Sequence, residues 1–420
     1  MLETITTRDS IMSNDPSLTG RLSASRTANP YRWAFILITS LFFMWGLSYG
    51  LLDVLNKHFQ EALHVNKAQS GLLQAAYFGA YFLVALPVGI FMDKHGYKAG
   101  ILVGLCLYAA GALLFMPAAS VASFPLFLFA LFVIACGLGC LETAANPYVT
   151  VLGEADSAER RLNLSQSFNG LGQFFGPLIG GMLFFSTTET QPSQDLGSVK
   201  LTYLLIAALV LLIAVAIART SLPDIRGNED GPQTSSSRTL WQHKHFVAGV
   251  ATQFFYVAAQ VGVGAFFINY VTEHWAGIGS QKASFLLSMA MLSFMFGRFF
   301  TTWLMGYIAA ARLLTIYALI SMALCGLVVA GVDGAAVIAL IALFFFMSIM
   351  FPTIFAIGLK NLGPHTKRAS SFMIMAIVGG ALMPYLMGSI ADQMNTAAAY
   401  SLPLACFAIV AWFGWSHRAH

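Results

Sequence analysis

Twelve apolar stretches divide this sequence, and each is long enough to cross a bilayer as an α-helix. Such a helix takes roughly 20 predominantly apolar residues, and only helices and closed barrels satisfy every backbone hydrogen bond within lipid. With 58% hydrophobic and 10% charged residues, the chain has more apolar surface than a soluble domain can bury. The sequence predicts an all-α membrane protein with twelve transmembrane helices, at residues 33–58, 68–92, 97–118, 124–152, 163–186, 200–220, 245–271, 283–308, 312–331, 334–360, 369–391 and 397–415.

The longest polar segments set the predicted domain boundaries. The first thirty residues carry no apolar core and do not read as a secretory signal peptide. A second polar segment separates six predicted spans from six others. We expect a cytoplasmic N-terminal tail at 1–32, a six-helix bundle at 33–222, a cytoplasmic linker at 223–244 and a second six-helix bundle at 245–416.

Basic residues are unevenly distributed between the two sides of the membrane that these spans imply. One side carries 17 Lys and Arg residues and the other carries 4, and basic residues concentrate in cytoplasmic loops. Both chain termini are therefore predicted to be cytoplasmic. The net charge of +4 is a signal of topology, so we expect the lipid bilayer and no nucleic acid as a partner.

Two similar segments lie at a constant offset in the two halves. PYVTVLG at 147–153 aligns with PTIFAIG at 352–358, a shift of 205 residues. Parallel repeats of six helices place a substrate between the halves near the bilayer midplane. The repeat therefore predicts a transporter that works by alternating access.

The turn after the second span carries a motif. GIFMDKHGYK at 89–98 fits the pattern G-x-x-x-D-[RK]-x-G, and it resembles the signature loop of the major facilitator superfamily. The resemblance implies two six-helix halves and a turn that locks neighbouring helix ends in one conformation. The matching segment of the second half, GYIAAAR at 306–312, has no acid. Either only the first half carries this locking turn, or a different acid serves in the second half. The residues expected to act in this gating are Gly89, Asp93, Lys94, Gly96 and Lys98.

Glu142 interrupts the fourth apolar stretch. It lies ten residues before the predicted cytoplasmic end of that span, which is ~15 Å into the bilayer. A charged side chain at such depth costs about 2.5–3.5 kcal/mol, so it must face a cavity, have a partner or be protonated. Burial disfavours the charged form, so Glu142 is a candidate proton carrier. A buried acid that only serves packing is the alternative.

Asp53 is the second intramembrane acid, five residues before the predicted outer end of the first span. A carboxylate near a helix end can reach interfacial water, so a structural role competes with proton coupling here. The positions that match the two acids in the second half are Ala258 and Met347, both apolar. Proton chemistry is therefore expected only in the first half.

Amide side chains are the predicted ligands for sugar hydroxyl groups. Gln166 and Asn169 are three residues apart on the fifth span, with Asn163 a turn before, so they share a helix face. Amides also hydrogen-bond neighbouring membrane helices without binding a substrate. Asn56 follows Asp53 on the first span, and the seventh span offers Gln253, Tyr256, Gln260 and Asn269.

Several other features narrow the class of protein. The lone intramembrane cation, Arg298, can pair with an acid or with helix carbonyls, in a gating, structural or substrate-binding role. The five cysteines and nine histidines form no metal-ligand pattern, so we expect no metal, no cofactor and no enzyme. A proton-linked exporter and a non-transporting sugar sensor stay open as alternatives.

Four motifs resemble one family of sugar transporters. GLGCLETAANPYVTVLG, RLNLSQSFN, GYKAG and SIMFPTIFAIGLKNLG are similar to the fucose–galactose–glucose–proton symporter family, most closely to its bacterial L-fucose members. The resemblance implies the major facilitator fold and proton-driven sugar uptake across a bacterial inner membrane. It also implies that Asp53 serves proton coupling, that Glu142 binds sugar and is protonated, and that Gln166 and Asn169 contact sugar. We expect the protein to function as a monomer.

The sequence departs from the fucose-type pattern at two places. Fucose symporters typically carry polar residues just before the first-span acid, where this chain has Gly50, Leu51 and Leu52. They tend to have Gln-Tyr-Pro in the tenth span, where this chain has Met350 and Phe351 before the proline. A site that cannot satisfy a sugar hydroxyl rejects that sugar. L-Fucose is the first choice of substrate, galactose, glucose or another monosaccharide is the alternative, and sodium coupling stays open.

Overall fold

A computed structural model describes residues 32–152, 158–185, 196–220, 240–360, 362 and 366–417, and within these ranges the secondary structure is helical, with no strand. The helices are α1 Arg32–Ala62, α2 Lys67–Ser70, α3 Leu72–Val121, α4 Phe124–Val151, α5 Ala158–Phe184, α6 Gly197–Arg219, α7 Lys244–Ala265, α8 Phe267–His274, α9 Ser280–Leu304, α10 Ala310–Ala330, α11 Asp333–Met347, α12 Met350–Leu359, α13 Thr366–Met375, α14 Gly379–Gln393, α15 Thr396–Ala399 and α16 Ser401–Ser416, with 3-10 turns at Leu240–Gln242 and Ala376–Val378. The predicted tail and linker lie almost entirely outside the described residues.

The twelve predicted spans are confirmed. Eleven helical segments of the described chain are long and apolar enough to cross a membrane. The other predicted span corresponds to α5, which has 27 residues but is rich in glycine and amides that lower its hydropathy. The range of α3 holds most of the second span and all of the third, which are two helices that meet at the non-helical residue Gly96.

Some span boundaries differ from those predicted. The first span continues to Ala62, four residues past its predicted end at 58. The added turn is stabilised by an ion pair of Lys57 with Glu61, 3.5 Å apart and one helical turn along. The seventh span breaks at Phe266 and the tenth breaks at 348–349. Discontinuous membrane helices expose backbone groups near the midplane, which is where transporters of this kind bind substrates.

Glycines hold α1 against α5. Gly46 and Gly50 on α1 face Gly172 and Gly176 on α5, so the two backbones touch. A Cβ at Gly176 would lie 2.6 Å from the Cα of Gly50, and a Cβ at Gly46 would collide with the carbonyl oxygen of Asn169. Small residues four apart allow this close approach between membrane helices. The contact sets the depth of α5, which carries the predicted sugar-binding amides, relative to α1.

Replacing Gly46 with alanine should destabilise the first half. The added methyl group has no space against α5, and overpacking of this kind typically costs about 1–3 kcal/mol. We expect a lower midpoint of thermal unfolding in detergent. Gly79→Ala is the matched control, because a Cβ at Gly79 would meet no atom within 4 Å. Equal midpoints for the two variants would contradict the close contact of α1 with α5.

The two halves meet in a polar cluster at one end of the bundle, which we call the Lys67 face. The Lys67 ammonium donates hydrogen bonds to Glu273 at 2.6 Å and to Thr396 at 2.9 Å. The backbone N–H groups of Lys67 and Ala68 donate to the carboxylate of Asp392 at 3.1 and 2.9 Å. Lys67 and Ala68 begin the second span, whereas the three acceptors belong to the second half. The Lys67 face is therefore closed by contacts between the halves.

A second group of contacts continues this closure. Gln60 and Asn269 exchange hydrogen bonds at 2.6 and 3.3 Å between their amide groups. The Ser280 hydroxyl donates to the Glu61 carboxylate at 2.5 Å. Both contacts join the end of α1 to helices of the second half. The end of α1 that the sequence analysis placed beyond the membrane span is thus part of the contact between the halves.

Candidate substrate and proton site

Glu142 lies on α4, which is packed tightly against the third span. A Cβ at Gly104 would come within 2.8 Å of the carbonyl oxygen of Gly137, so glycines bring these two helices together. Glu142 itself is partly exposed, although it lies within the membrane segment. It is close enough to Tyr77 and Tyr81 on the second span to interact with them electrostatically. Its partial exposure and its tyrosine neighbours are compatible with the prediction that this acid faces a cavity, which stays a prediction.

Asn146 binds one of the predicted amides of α5. It lies one turn after Glu142 on the same face of α4. Its side-chain oxygen accepts a hydrogen bond from Gln166 at 3.1 Å. Asn146 was not among the residues predicted from the sequence, although its four-residue spacing from Glu142 was a usable signal. Glu142, Asn146 and Gln166 therefore lie close together in the structure.

Asn169 is oriented towards a different helix from Gln166. Its amide nitrogen donates to the carbonyl of Phe42 on α1 at 3.3 Å, and its oxygen accepts from Gln173 at 2.8 Å. The two amides thus join α5 to both helices that carry the intramembrane acids. The side chain of Asn163 lies outside the described part of the structure.

Asp53 is buried deeper than the sequence analysis predicted. Because α1 ends at Ala62, Asp53 lies nine residues from that end (62 − 53), or ~14 Å along the axis. It is 2% exposed, and its Oδ2 atom has no hydrogen-bond partner among the described residues. The predicted position near the helix end was wrong, so access to interfacial water no longer accounts for this acid.

Aromatic side chains occupy the region between the two acids. Tyr49 interacts electrostatically with Asp53, one turn further along α1. The rings of Tyr49 and Tyr77 make an edge contact with 6.5 Å between centroids, and the hydroxyls of Tyr77 and Tyr81 are 3.5 Å apart. Tyrosine combines an apolar ring with a hydrogen-bonding hydroxyl. This arrangement suits a ligand that has both C–H faces and hydroxyl groups.

Asn56 and Gln260, the other predicted sugar ligands, have different surroundings. Asn56 is fully buried and donates to Gln74 at 3.1 Å, while its oxygen accepts from Gln60 at 2.8 Å and from Ser70 at 3.0 Å. These contacts place it in a polar cluster near the Lys67 face. Gln260 is partly exposed on α7. A role in sugar binding stays a prediction for both residues.

Arg298 binds a helix carbonyl, one of the two partners considered for it. Its guanidinium donates to the carbonyl of Ser348 at 3.3 Å, and it lies over the ring of Phe294 at 5.0 Å from the centroid. Ser348 is at the break in the tenth span, where the helical hydrogen-bond pattern is interrupted. Tyr256 donates to the carbonyl of Met347 at 2.7 Å, next to this break. Arg298 and Tyr256 therefore stabilise the interrupted backbone.

The motif turn joins the second and third spans at Gly96. This glycine has φ of 81°, a left-handed conformation that residues with a Cβ rarely adopt. Lys98 donates to the carbonyls of Ala218 and Thr220 at 3.0 and 2.9 Å, at the end of α6. Lys94 is exposed, and a Cβ at Gly89 would meet no atom within 4 Å. The side chain of Asp93 lies outside the described part, so the gating role of these residues stays a prediction.

Comparison with known proteins identifies the family. The sequence profile of the Major Facilitator Superfamily matches residues 34–384. The chain belongs to the Major Facilitator Superfamily. It is 40% identical over 398 residues to an L-fucose-proton symporter of Escherichia coli (strain K12), and the alignment covers 90% of this chain and 91% of that protein. It is 38% identical over 407 residues to a glucose/galactose transporter of Brucella abortus biovar 1 (strain 9-941), and the alignment covers 96% of this chain and 98% of that protein.

Solved structures agree with this placement in the superfamily. The crystal structure of a Major Facilitator Superfamily transporter, FucP, in the outward conformation matches with a TM-score of 0.68 at 40% identity. The match covers 92% of this chain and 99% of that one. The predicted family of fucose–galactose–glucose–proton symporters and the predicted major facilitator fold are thereby confirmed. The class of transporter, as opposed to membrane enzyme, is confirmed with them.

Proposed function

We propose that this protein imports a monosaccharide together with a proton, with L-fucose as the first choice of sugar. The observation that carries the proposal is Glu142, a partly exposed acid within the membrane that lies beside Asn146, Gln166 and two tyrosines. A carboxylate with fixed amide neighbours can hydrogen-bond sugar hydroxyls, and it can take up a proton. The relatives named as an L-fucose-proton symporter and a glucose/galactose transporter support both parts of the proposal.

The proposed topology follows the distribution of basic residues. The Lys67 face is on the outside of a bacterial inner membrane, and both termini are in the cytoplasm. The chain functions as a monomer, in which the halves at 33–222 and 245–416 rock about a central site and the linker at 223–244 joins them in the cytoplasm. With the Lys67 face outside, the contacts between the halves at that face close the outer end of the central site in this arrangement.

In the proposed site, the two acids have different roles. Glu142, Gln166 and Asn169 bind the sugar, and Glu142 exchanges a proton during the cycle. Asp53 is the outer acid, which takes up a proton when the Lys67 face is open. Asn56 and Gln260 supply further amides in the open state. The turn of Gly89, Asp93, Lys94, Gly96 and Lys98 stabilises one arrangement of the halves on the cytoplasmic side.

The positions that depart from the fucose-type pattern differ in their surroundings. Gly50 touches α5, where a Cβ would lie 2.6 Å from the carbonyl oxygen of Gln173. Leu52 and Met350 are buried in the apolar core. These three positions serve packing in this arrangement, whereas Phe351 is partly exposed and stacks on Phe355. The missing hydroxyl group that matters for sugar choice is therefore the one at position 351.

Accumulation of sugar in right-side-out vesicles tests the proposed function. We expect radiolabelled L-fucose to accumulate when the outside is made acidic, and a protonophore to abolish this accumulation. D-Galactose and D-glucose, tested in parallel, show whether another sugar is preferred. Accumulation driven only by a sodium gradient would overturn the proton part, and extrusion of the sugar would overturn the direction.

Lys67→Met should weaken closure of the outside. The variant loses the hydrogen bonds to Glu273 and Thr396, and partly exposed ion pairs of this kind are worth little, so we expect about a two- to fivefold fall in the rate of uptake. Lys57→Met is the matched control, because Lys57 pairs with Glu61 on its own helix. Equal rates for both variants would show that Lys67 does not hold the halves together.

A further inference from the structure

Gly264 of the second half lies directly against the Asp53 carboxyl group. A Cβ built on Gly264 would be 2.8 Å from Asp53 Oδ2, 3.4 Å from Cγ and 3.6 Å from Oδ1. These are the three nearest heavy atoms outside its own helix backbone, so the carboxyl group is the closest neighbour of this glycine. Asp53 Oδ2 has no hydrogen-bond partner among the described residues. The second half thus covers the outer acid with a backbone surface that offers it no donor.

A row of amides connects this acid to the contact between the halves. The Gln74 side chain lies near the Asp53 carboxyl group, although its Nε2 atom has no hydrogen-bond partner among the described residues, and its oxygen accepts from Asn56 at 3.1 Å. Asn56 in turn accepts from Gln60 at 2.8 Å, and Gln60 exchanges hydrogen bonds with Asn269 of the second half. The orientation of Gln74 therefore depends on a chain of amides whose last link forms only when the halves meet.

Two tyrosines are also close to Asp53. Tyr49 on the same helix and Tyr400 on the second half interact with it electrostatically, and both are neutral in their ordinary state. The Tyr400 hydroxyl donates to the carbonyl of Val263 at 3.1 Å, which fixes the backbone next to Gly264. Within the described residues, no Lys or Arg forms a salt bridge with Asp53.

We propose that Gly264 is a positioning residue for proton coupling. The outside closes only when the backbone of Gly264 can pack against an uncharged Asp53. The row of amides formed by Gln74, Asn56, Gln60 and Asn269 aligns the acid for that contact. This inference rests on the proposed proton-coupled function.

The physical reason is the cost of an unpaired charge. An ionised carboxylate enclosed against Gly264 without a donor would lack the partners that buried charges require, so closure selects the protonated acid. A side chain at position 264 would prevent the same contact by occupying the space of the carboxyl group. Closure of the outside and uptake of a proton by Asp53 therefore depend on each other.

The test uses glycine variants and a reporter of closure. Ser284 is buried, and a Cβ at Gly181 would collide with its hydroxyl, so Ser284→Cys reports whether the outer ends of α5 and α9 are together. A membrane-impermeant maleimide is applied to right-side-out vesicles, with the parent protein lacking Ser284→Cys as the background. Gly262→Ala is the matched control, because its Cβ is also crowded, but its three nearest atoms belong to Met383 and Met387 of its own half.

Gly264→Ala should increase the rate at which the cysteine of Ser284→Cys is labelled about tenfold, because the added methyl group overpacks the contact between the halves. Gly262→Ala should leave this labelling rate unchanged. Adding Asp53→Ala should restore protection to Gly264→Ala, because it removes the three atoms that the new methyl group meets. Unchanged labelling in Gly264→Ala, or no restoration by Asp53→Ala, would overturn the inference. The labelling needs no sugar, so failure of the proposed transport function would appear separately, as absent uptake by the otherwise unmodified protein.

Discussion

Glu142→Gln should abolish sugar-driven proton entry and accumulation of sugar while sugar exchange across the membrane persists. Glutamine keeps the shape of the side chain and can still hydrogen-bond a sugar hydroxyl, but it cannot bind and release a proton at the same atom. The measurement is proton entry on addition of sugar, together with exchange of labelled against unlabelled sugar in the same vesicles. We expect accumulation to fall to the level of vesicles without the protein.

Glu61→Gln serves as the control for this substitution. Glu61 accepts a hydrogen bond from Ser280 at the Lys67 face, and a glutamine oxygen can accept the same bond. It should therefore retain proton entry. If Glu142→Gln also retains proton entry, Glu142 is only a sugar ligand or a structural acid.

Asp53→Asn should abolish accumulation as completely, and for a different reason. Asparagine imitates the uncharged acid that fits against Gly264, so the outside can close whether or not a proton has been taken up. Sugar exchange should persist, and its rate should depend less on external pH than in the unmodified protein. The measurement is the rate of exchange at several external pH values, beside accumulation under an imposed proton gradient.

Asp53→Glu separates the charge from the shape of this side chain. It retains an acid but adds a methylene group in a space that Gly264 already limits, so it should lose exchange as well as accumulation. Persistent accumulation in Asp53→Asn, or normal exchange in Asp53→Glu, would contradict the role assigned to Asp53.

The sequence was sufficient to locate the spans and to single out two acids, whose roles stay predictions. Lipid leaves few alternatives to a helix, so apolar length alone located the twelve spans. Charges within apolar segments are costly, which made Glu142 and Asp53 conspicuous. The depth of Asp53 was misjudged because the polar turn after residue 58 resembled a loop, and its helical conformation depends on partners such as Asn269 that are distant in the sequence.

Other parts of the site could not be predicted from local patterns. Lys67 and Asp392 are 325 residues apart, and their contact exists only through the arrangement of the halves. The break at Phe266 has no proline to mark it. Gly264 was not distinguished from the many other glycines, because its role depends on which atom lies opposite. Asn146 is the exception, since its spacing from Glu142 was visible and was overlooked.

Proton movement on addition of sugar is the most direct test of symport. Energy-depleted right-side-out vesicles in sodium-free medium are given L-fucose, D-galactose and D-glucose in turn, and the pH of the weakly buffered medium is recorded. We predict that one sugar makes the medium more alkaline as protons enter with it, and that a protonophore removes the signal. Entry of labelled sugar without any change in pH would contradict proton-coupled symport.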